Sequence, residues 1–119
     1  IKNKICKLVK CSQKQIDIQF LAYEPNGFYN YHNDDYDESG NKRVYTLIIY
    51  LNNVDSGGET HFRELNKKFK PVRGKALFWK NVMDNNPNKV NQNMIHSGLK
   101  LESGKKYALN IWVHEKDRF

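Results

Sequence analysis

The chain has 119 residues, 39% hydrophobic, 13% aromatic and 28% charged, which suits one folded domain and excludes disorder and collagen-like repeats. Its formal charge is +7 at pH 7, carried mostly by Lys scattered from Lys2 to Lys116 among many Asn and Ile. A solvated Lys-rich surface explains that charge better than a nucleic-acid or acidic-membrane partner does.

From the N-terminus, Ile5, Leu8 and Val9 stand at helical spacing within Ile1 to Ser12, which predicts a short helix. Cys6 and Cys11 have no second pair to complete a structural zinc site. Gln15 to Tyr23 alternates and is rich in strand formers, Pro25-Asn26-Gly27 is a turn, and Tyr29 to Asp34 reads as a short strand. Asp35 to Lys42 is expected to be a mobile acidic loop containing Asp35 and Asp37 that could gate a groove. Arg43 to Asn52 is the strongest strand. Its segment Tyr45 to Leu51 is the longest apolar run and falls far short of the roughly 20 residues a membrane span needs.

Asp55-Ser56-Gly57-Gly58 is predicted to be a turn. Glu59 to Arg63, Lys68 to Pro71, Lys75 to Lys80, Asn93 to Ser97 and Lys105 to Glu115 are predicted strands, with an Asn-rich mobile loop from Asp84 to Gln92. Many short strands with almost no helix predict a sandwich or barrel. The sequence opens at Ile1 without a signal-like segment. It therefore reads as a single domain, 1–119, truncated at its N-terminus, with no compartment assigned.

Among four histidines, His32 is the informative one, because Asp34 follows at i+2. On a strand those side chains share a face and can offer one nitrogen and one carboxylate oxygen to a metal. A closed β architecture could bring His96 across to them. Two histidines and one carboxylate leave open positions, the arrangement suited to Fe(II) that activates oxygen. His61 lacks such a partner and His114 lies late in its strand near the terminus, so both are read as non-ligands. Lys106 follows His96 by ten residues, with Gly98 and Ser103-Gly104 between them suggesting a hairpin, so the two are expected on adjacent antiparallel strands. Alternation puts Lys106, Ala108, Asn110 and Trp112 on one face and Tyr107, Leu109, Ile111 and Val113 on the other, which is core. A partly buried Lys beside a metal needs a carboxylate partner, which a dicarboxylic cosubstrate would supply.

These residues carry a resemblance. Tyr23, Gly27, Tyr29, His32, Asp34, Arg43, Thr46, Tyr50-Leu51-Asn52, Gly57-Gly58-Glu59-Thr60 and Phe62 come first. Gly74-Lys75-Ala76-Leu77-Phe78-Trp79, Asn81, His96, Gly98, Gly104, Lys106, Asn110 and Trp112 follow. Together, from about Gln15 to the end, they resemble the catalytic domain of prolyl 4-hydroxylases, which are Fe(II)- and 2-oxoglutarate-dependent dioxygenases. Leu99-Lys100-Leu101 stands where relatives often have Pro-Val, and Tyr107 replaces a frequent Trp.

The resemblance implies a mostly β fold, a double-stranded β-helix (jelly roll, cupin-like) with at most a short N-terminal helix. It implies Fe(2+) held by His32, Asp34 and His96, and 2-oxoglutarate held by Lys106 with Tyr23 and Thr60. Tyr29, Arg43 and Trp112 would line a groove for a proline-rich or collagen-like peptide. O2 is the co-reactant and L-ascorbate the reductant. Peptidyl proline would become 4-hydroxyproline, with succinate and CO2 released. The alternatives keep the cofactors but act on peptidyl lysine or nucleic acid, or make the jelly roll a non-catalytic binding module. Oligomeric state is left open.

Overall fold

A computed structural model describes all residues, 1–119. Helix α1 (Lys2–Val9) buries Ile5 and ends where Lys10 takes a left-handed backbone conformation, φ 53°. Ser12 and Gln15 then form a reciprocal capping box around the short 3-10 turn Gln13–Gln15. Twelve short strands follow: β1 (Ile16–Tyr23), β2 (Tyr29–His32), β3 (Arg43–Tyr50), β4 (Ser56–Gly57), β5 (Thr60–Phe62), β6 (Lys67–Phe69), β7 (Ala76–Lys80), β8 (Val82–Met83), β9 (Asn86–Val90), β10 (His96–Gly98), β11 (Leu101–Ser103) and β12 (Lys106–His114). No helix is long and apolar enough to cross a membrane.

Two four-stranded sheets carry the fold, in the orders β1-β12-β3-β7 and β2-β10-β5-β6, with β11-β4 and β8-β9 as two-stranded additions. Every pairing is antiparallel, as the expected jelly roll requires. Ile48 and Tyr50 of β3, Trp79 of β7 and Ala108 of β12 pack against Phe62 of β5, so one apolar cluster joins the two sheets. A second lies on the opposite face of the first sheet, where Ile111 and Val113 meet Ile16 and Ile5 of α1. The alternation expected along β12 therefore holds, with one face toward the other sheet and one toward the helix.

The register turns sequence positions into rows. Tyr23 pairs with Lys106; Trp112 pairs with Thr46, and Thr46 with Trp79. In the second sheet His96 pairs with His32 on one side and with Phe62 on the other. Gly98 lies opposite both Thr60 and Tyr29.

Several expectations are corrected. The strand at Tyr29 stops at His32, so Asp34 lies beyond its end. Asn93 to Ser97 is a 3-10 turn at Gln92–Met94 followed by β10, because the Asn91 side chain accepts from Asn93 N–H and caps that turn. Asp84 to Gln92 contains β9, hairpin-paired with β8 and tied down where Lys42 Nζ donates to the Pro87 carbonyl at 3.0 Å. The acidic loop is anchored as well: Asp37 accepts from Ser39 N–H and Asn41 N–H, both at 2.9 Å, and Tyr36 bridges to Lys42.

The largest correction is to His96 and Lys106, which occupy different sheets and face each other across the interior. Between them the chain forms β11, which pairs with β4, the segment expected to be only a turn. Only glycine fits that crossing at Gly57, where φ is +81° and a Cβ would lie 2.6 Å from Glu102 N and closer still to the Lys100 carbonyl.

Ile111 has no exposed surface and sits between β12 and α1. Ile111→Ala is expected to lower unfolding free energy by about 2 to 5 kcal/mol, measured by urea denaturation; half-buried Leu109→Ala is expected to cost less.

Candidate metal centre and adjoining cavity

The register places His32 beside His96, with ring centroids 4.3 Å apart. The chain then turns, bringing Asp34 back to both. His32 Nε2 lies 3.2 Å from Asp34 Oδ1, and His96 Nε2 lies 3.7 Å from Asp34 Oδ2. One ligand atom from each of the three falls within 4.8 Å of the others.

Both rings are set for coordination by their outer nitrogens. His32 Nδ1 lies 2.7 Å from the Asn30 carbonyl and His96 Nδ1 lies 2.9 Å from the Met94 carbonyl. A carbonyl only accepts, so each Nδ1 carries a proton, and each ring in its neutral form presents its Nε2 lone pair to the shared space. Two imidazole nitrogens and a carboxylate oxygen so arranged fit Fe(II).

The electrostatics follow from burial. Burial opposes ionisation of Asp34, but a hydrogen bond from His32, the charges of His96 and His32 and a bond from Thr46 outweigh it, holding the carboxyl below its ordinary range. Burial likewise opposes a charged His32; its bonds to Asp34 and the Asn30 carbonyl prevail, so its pKa is raised. At His96 burial dominates and the pKa is lowered.

This cluster opens into a cavity of about 430 Å³ whose wall includes Tyr23, Tyr50, Thr60, Gly98 and Lys106. Lys106 is only 5% exposed, with its Nζ 4.9 Å from the Tyr23 ring centroid and 5.9 Å from that of Tyr50. The Tyr50 hydroxyl and Thr60 Oγ1 are hydrogen-bonded to each other. Burial pushes Tyr50 up to about 12 and raises Tyr23 as well, so both phenols stay protonated donors.

At the other end Tyr29 is half-exposed, its ring centroid 4.1 Å from that of His32. The Arg43 guanidinium lies over the Trp112 ring at 4.4 Å. Trp112 lines the cavity and also donates from Nε1 to Asp34 Oδ2 at 3.3 Å. All nine residues singled out in the sequence thus gather around one space, on both sheets and the turn after β2. His61 and His114 stand apart: His61 Nδ1 meets the Tyr31 hydroxyl, and His114 Nδ1 donates to the Gln15 carbonyl.

Thr46, Trp79 and Asn81 had no assigned role, yet they are bonded in series to Asp34. Tyr50, the neighbour of Thr60, likewise had none. The available signal was parity. Thr46 is a polar residue at an inward position of the most apolar strand, and such a residue needs a buried partner.

Residues 18–114 match the 2OG-Fe(II) oxygenase superfamily. A putative prolyl 4-hydroxylase of Acanthamoeba polyphaga mimivirus is 39% identical over 110 residues, covering 84% of this chain and 45% of its own. Prolyl 4-hydroxylase 1 of Arabidopsis thaliana is 32% identical over 118 residues, covering 83% of this chain and 41% of its own. The chain thus spans less than half the length of these two curated relatives. The viral collagen prolyl hydroxylase vCPH of Paramecium Bursaria Chlorella virus-1, solved as a 2OG complex, superposes with a TM-score of 0.77 at 28% identity. That match covers 95% of this chain and 69% of vCPH. An RmlC-like cupin from Desulfovibrio desulfuricans shares the fold, with a TM-score of 0.50 at 12% identity.

The charge of Lys106 has a consequence that needs no ligand. Burial brings its pKa from 10.5 down to about 8, with Glu59 offsetting part of the effect. Between those values the unfolded chain holds a proton that the folded chain has released, so stability rises with pH across that window. Lys106→Met is expected to flatten this rise and to stabilise the chain at neutral pH by about 2 to 3 kcal/mol, measured by urea unfolding at neutral pH and near pH 9.5.

Proposed function

The chain belongs to the 2OG-Fe(II) oxygenase superfamily, and on that premise we propose that it is an Fe(II)- and 2-oxoglutarate-dependent prolyl 4-hydroxylase acting on proline-rich or collagen-like peptide. One observation carries the reading. Three candidate ligands stand at one end of a cavity, and a buried, unneutralised lysine stands further along the same wall. A dicarboxylic 2-oxo acid has the matching chemistry, with a chelating group at one end and an anion at the other.

His32, Asp34 and His96 would hold Fe(II). The metal, when bound with 2-oxoglutarate and O2, supplies the oxidation that puts one oxygen on proline C4 and leaves succinate and CO2, with ascorbate as reductant. The remaining work belongs to the chain. Lys106 binds the distal carboxylate by a charge-assisted hydrogen bond, with Thr60, Tyr50 and Tyr23 as further hydroxyl donors beside it. Binding the dianion raises the Lys106 pKa that burial has lowered, so the cosubstrate and the ammonium stabilise each other. The sheets on either side keep bulk water from the reacting atoms.

Tyr29, Arg43 and Trp112 are proposed to line the peptide groove, since flat aromatic faces dock prolyl rings and an extended polyproline II chain loses little entropy on binding. Prolyl substrate is favoured over lysyl because two curated relatives are named prolyl 4-hydroxylases and the superposed enzyme is a collagen prolyl hydroxylase. The metal-ligand set standing in the same cavity as Lys106 favours catalysis over a non-catalytic binding module.

Mass spectrometry of a proline-rich peptide incubated with the chain, Fe(II), 2-oxoglutarate and ascorbate is expected to show one added oxygen on proline, only in air and only with 2-oxoglutarate. Succinate formed without modified proline would move the substrate to lysine or nucleic acid; neither product would overturn the enzyme reading. His32→Ala and His96→Ala are expected to abolish turnover, and Lys106→Ala to raise the 2-oxoglutarate requirement by about 10- to 100-fold.

A further inference from the structure

We propose that Asn81 is a positioning residue for the metal centre, acting through Thr46 to hold one oxygen of Asp34 away from the metal so that Asp34 coordinates through the other oxygen alone. The inference rests on the metal-centre reading given above. Asn81 and Thr46 are neither ligands nor part of the cavity wall.

The direction of every bond in the series is dictated by chemistry. Trp79 Nε1–H has no acceptor character, so the Asn81 side-chain atom 2.7 Å from it is the amide oxygen. That leaves the Asn81 amide nitrogen facing Thr46 Oγ1, also at 2.7 Å, and this nitrogen only donates. Thr46 Oγ1 therefore accepts from Asn81, and its single proton goes to Asp34 Oδ2 at 2.9 Å. An indole at the far end thus forces the hydroxyl to point at the carboxylate.

The same Asp34 oxygen also takes the Trp112 indole N–H. Oδ2 is held by two donors, whereas Oδ1 receives neither and lies 3.2 Å from His32 Nε2. A carboxylate with one oxygen so engaged presents a single oxygen to a metal, which keeps other positions open for cosubstrate and O2.

The series is built to hold its place. Thr46 has no exposed surface, Asn81 is 3% exposed and Asp34 5%, so water does not replace a lost partner. The Asn81 backbone is clamped on both sides: its N–H donates to the Val44 carbonyl at 2.7 Å and its carbonyl accepts from Asn91 N–H at 2.9 Å. Thr46 and Trp79 are register partners on adjacent strands, so the spacing of the side chains is set by the sheet.

Two isosteric substitutions separate positioning from mere packing. Asn81→Asp keeps the shape and still accepts from Trp79, but its second oxygen accepts from Thr46 and so turns the hydroxyl away from Asp34. Thr46→Val removes the hydroxyl, and Thr46→Ser restores it with less packing. The readout is Co(II) binding to the metal-free chain, followed by visible absorption for affinity and coordination, with near-ultraviolet circular dichroism reporting the fold. Asn81→Asp and Thr46→Val are expected to weaken Co(II) binding by about 10- to 100-fold and to change the absorption bands, while Thr46→Ser stays within about threefold of the parent.

A folded Thr46→Val protein with the parent's affinity and spectrum would overturn the proposal, as would Thr46→Ser failing as badly as Thr46→Val. If Asn81→Asp does not fold, Asn81→Ala takes its place, and a folded Asn81 variant with the parent's affinity and spectrum overturns the proposal as well. Parent protein that binds no Co(II) also overturns it. Parent protein that binds Co(II) but oxidises no proline removes the proposed function, and the variants still decide the positioning role.

Discussion

An ionised carboxylate in a nearly dry interior is the constraint on which this site depends. Removing a carboxylate from water costs several kcal/mol unless donors replace the hydration it loses. Asp34 is 5% exposed, and its replacements are the Thr46 hydroxyl and the Trp112 indole N–H, with the imidazoles of His32 and His96 beside it. Those neighbours come from β3, β12, β2 and β10. A single buried charge therefore requires both sheets at a shared point, and the rows of the jelly roll are what deliver them.

The same economy explains the rest of the interior. Phe62 and Trp79 pack against the His96 ring, with centroids 5.6 and 4.9 Å away. They bury the imidazole while its Nδ1 keeps a carbonyl. Lys106 is the opposite case: it is buried between Tyr23 and Tyr50 with no hydrogen-bonding anion supplied by the chain, and its pKa falls accordingly. A folded protein retains such a cation at a cost to stability, which is typical of sites whose complement is a ligand.

Fold and site differ in what stabilises them. The cluster around Ile5, Ile16, Ile111 and Val113 is ordinary apolar burial between helix and sheet. On the other face of the same sheet, Thr46 and Asn81 occupy buried positions and are held by hydrogen bonds to each other, to Trp79 and to Asp34. Packing sets the distance between strands, and that distance makes the hydrogen bonds short enough to hold a charge.

Much of this was legible in the residues. A run of strand-forming residues identified Arg43 to Asn52 as a strand, and alternation along Lys105 to Glu115 identified both a strand and its core face, since strand periodicity depends only on local backbone geometry. The i, i+2 spacing of His32 and Asp34 pointed to a shared ligand set, although Asp34 reaches it by a turn beyond β2. Spacing could not reveal that His96 and Lys106 lie in different sheets, because the intervening β11 pairs with β4 from far along the chain. Nor could it show Asn81, Thr46 and Asp34 in series, 35 and 12 residues apart. Sequence periodicity determines which way a side chain faces; which distant side chain it then meets is decided only by strand order and register, and those are set by the packing of the whole domain.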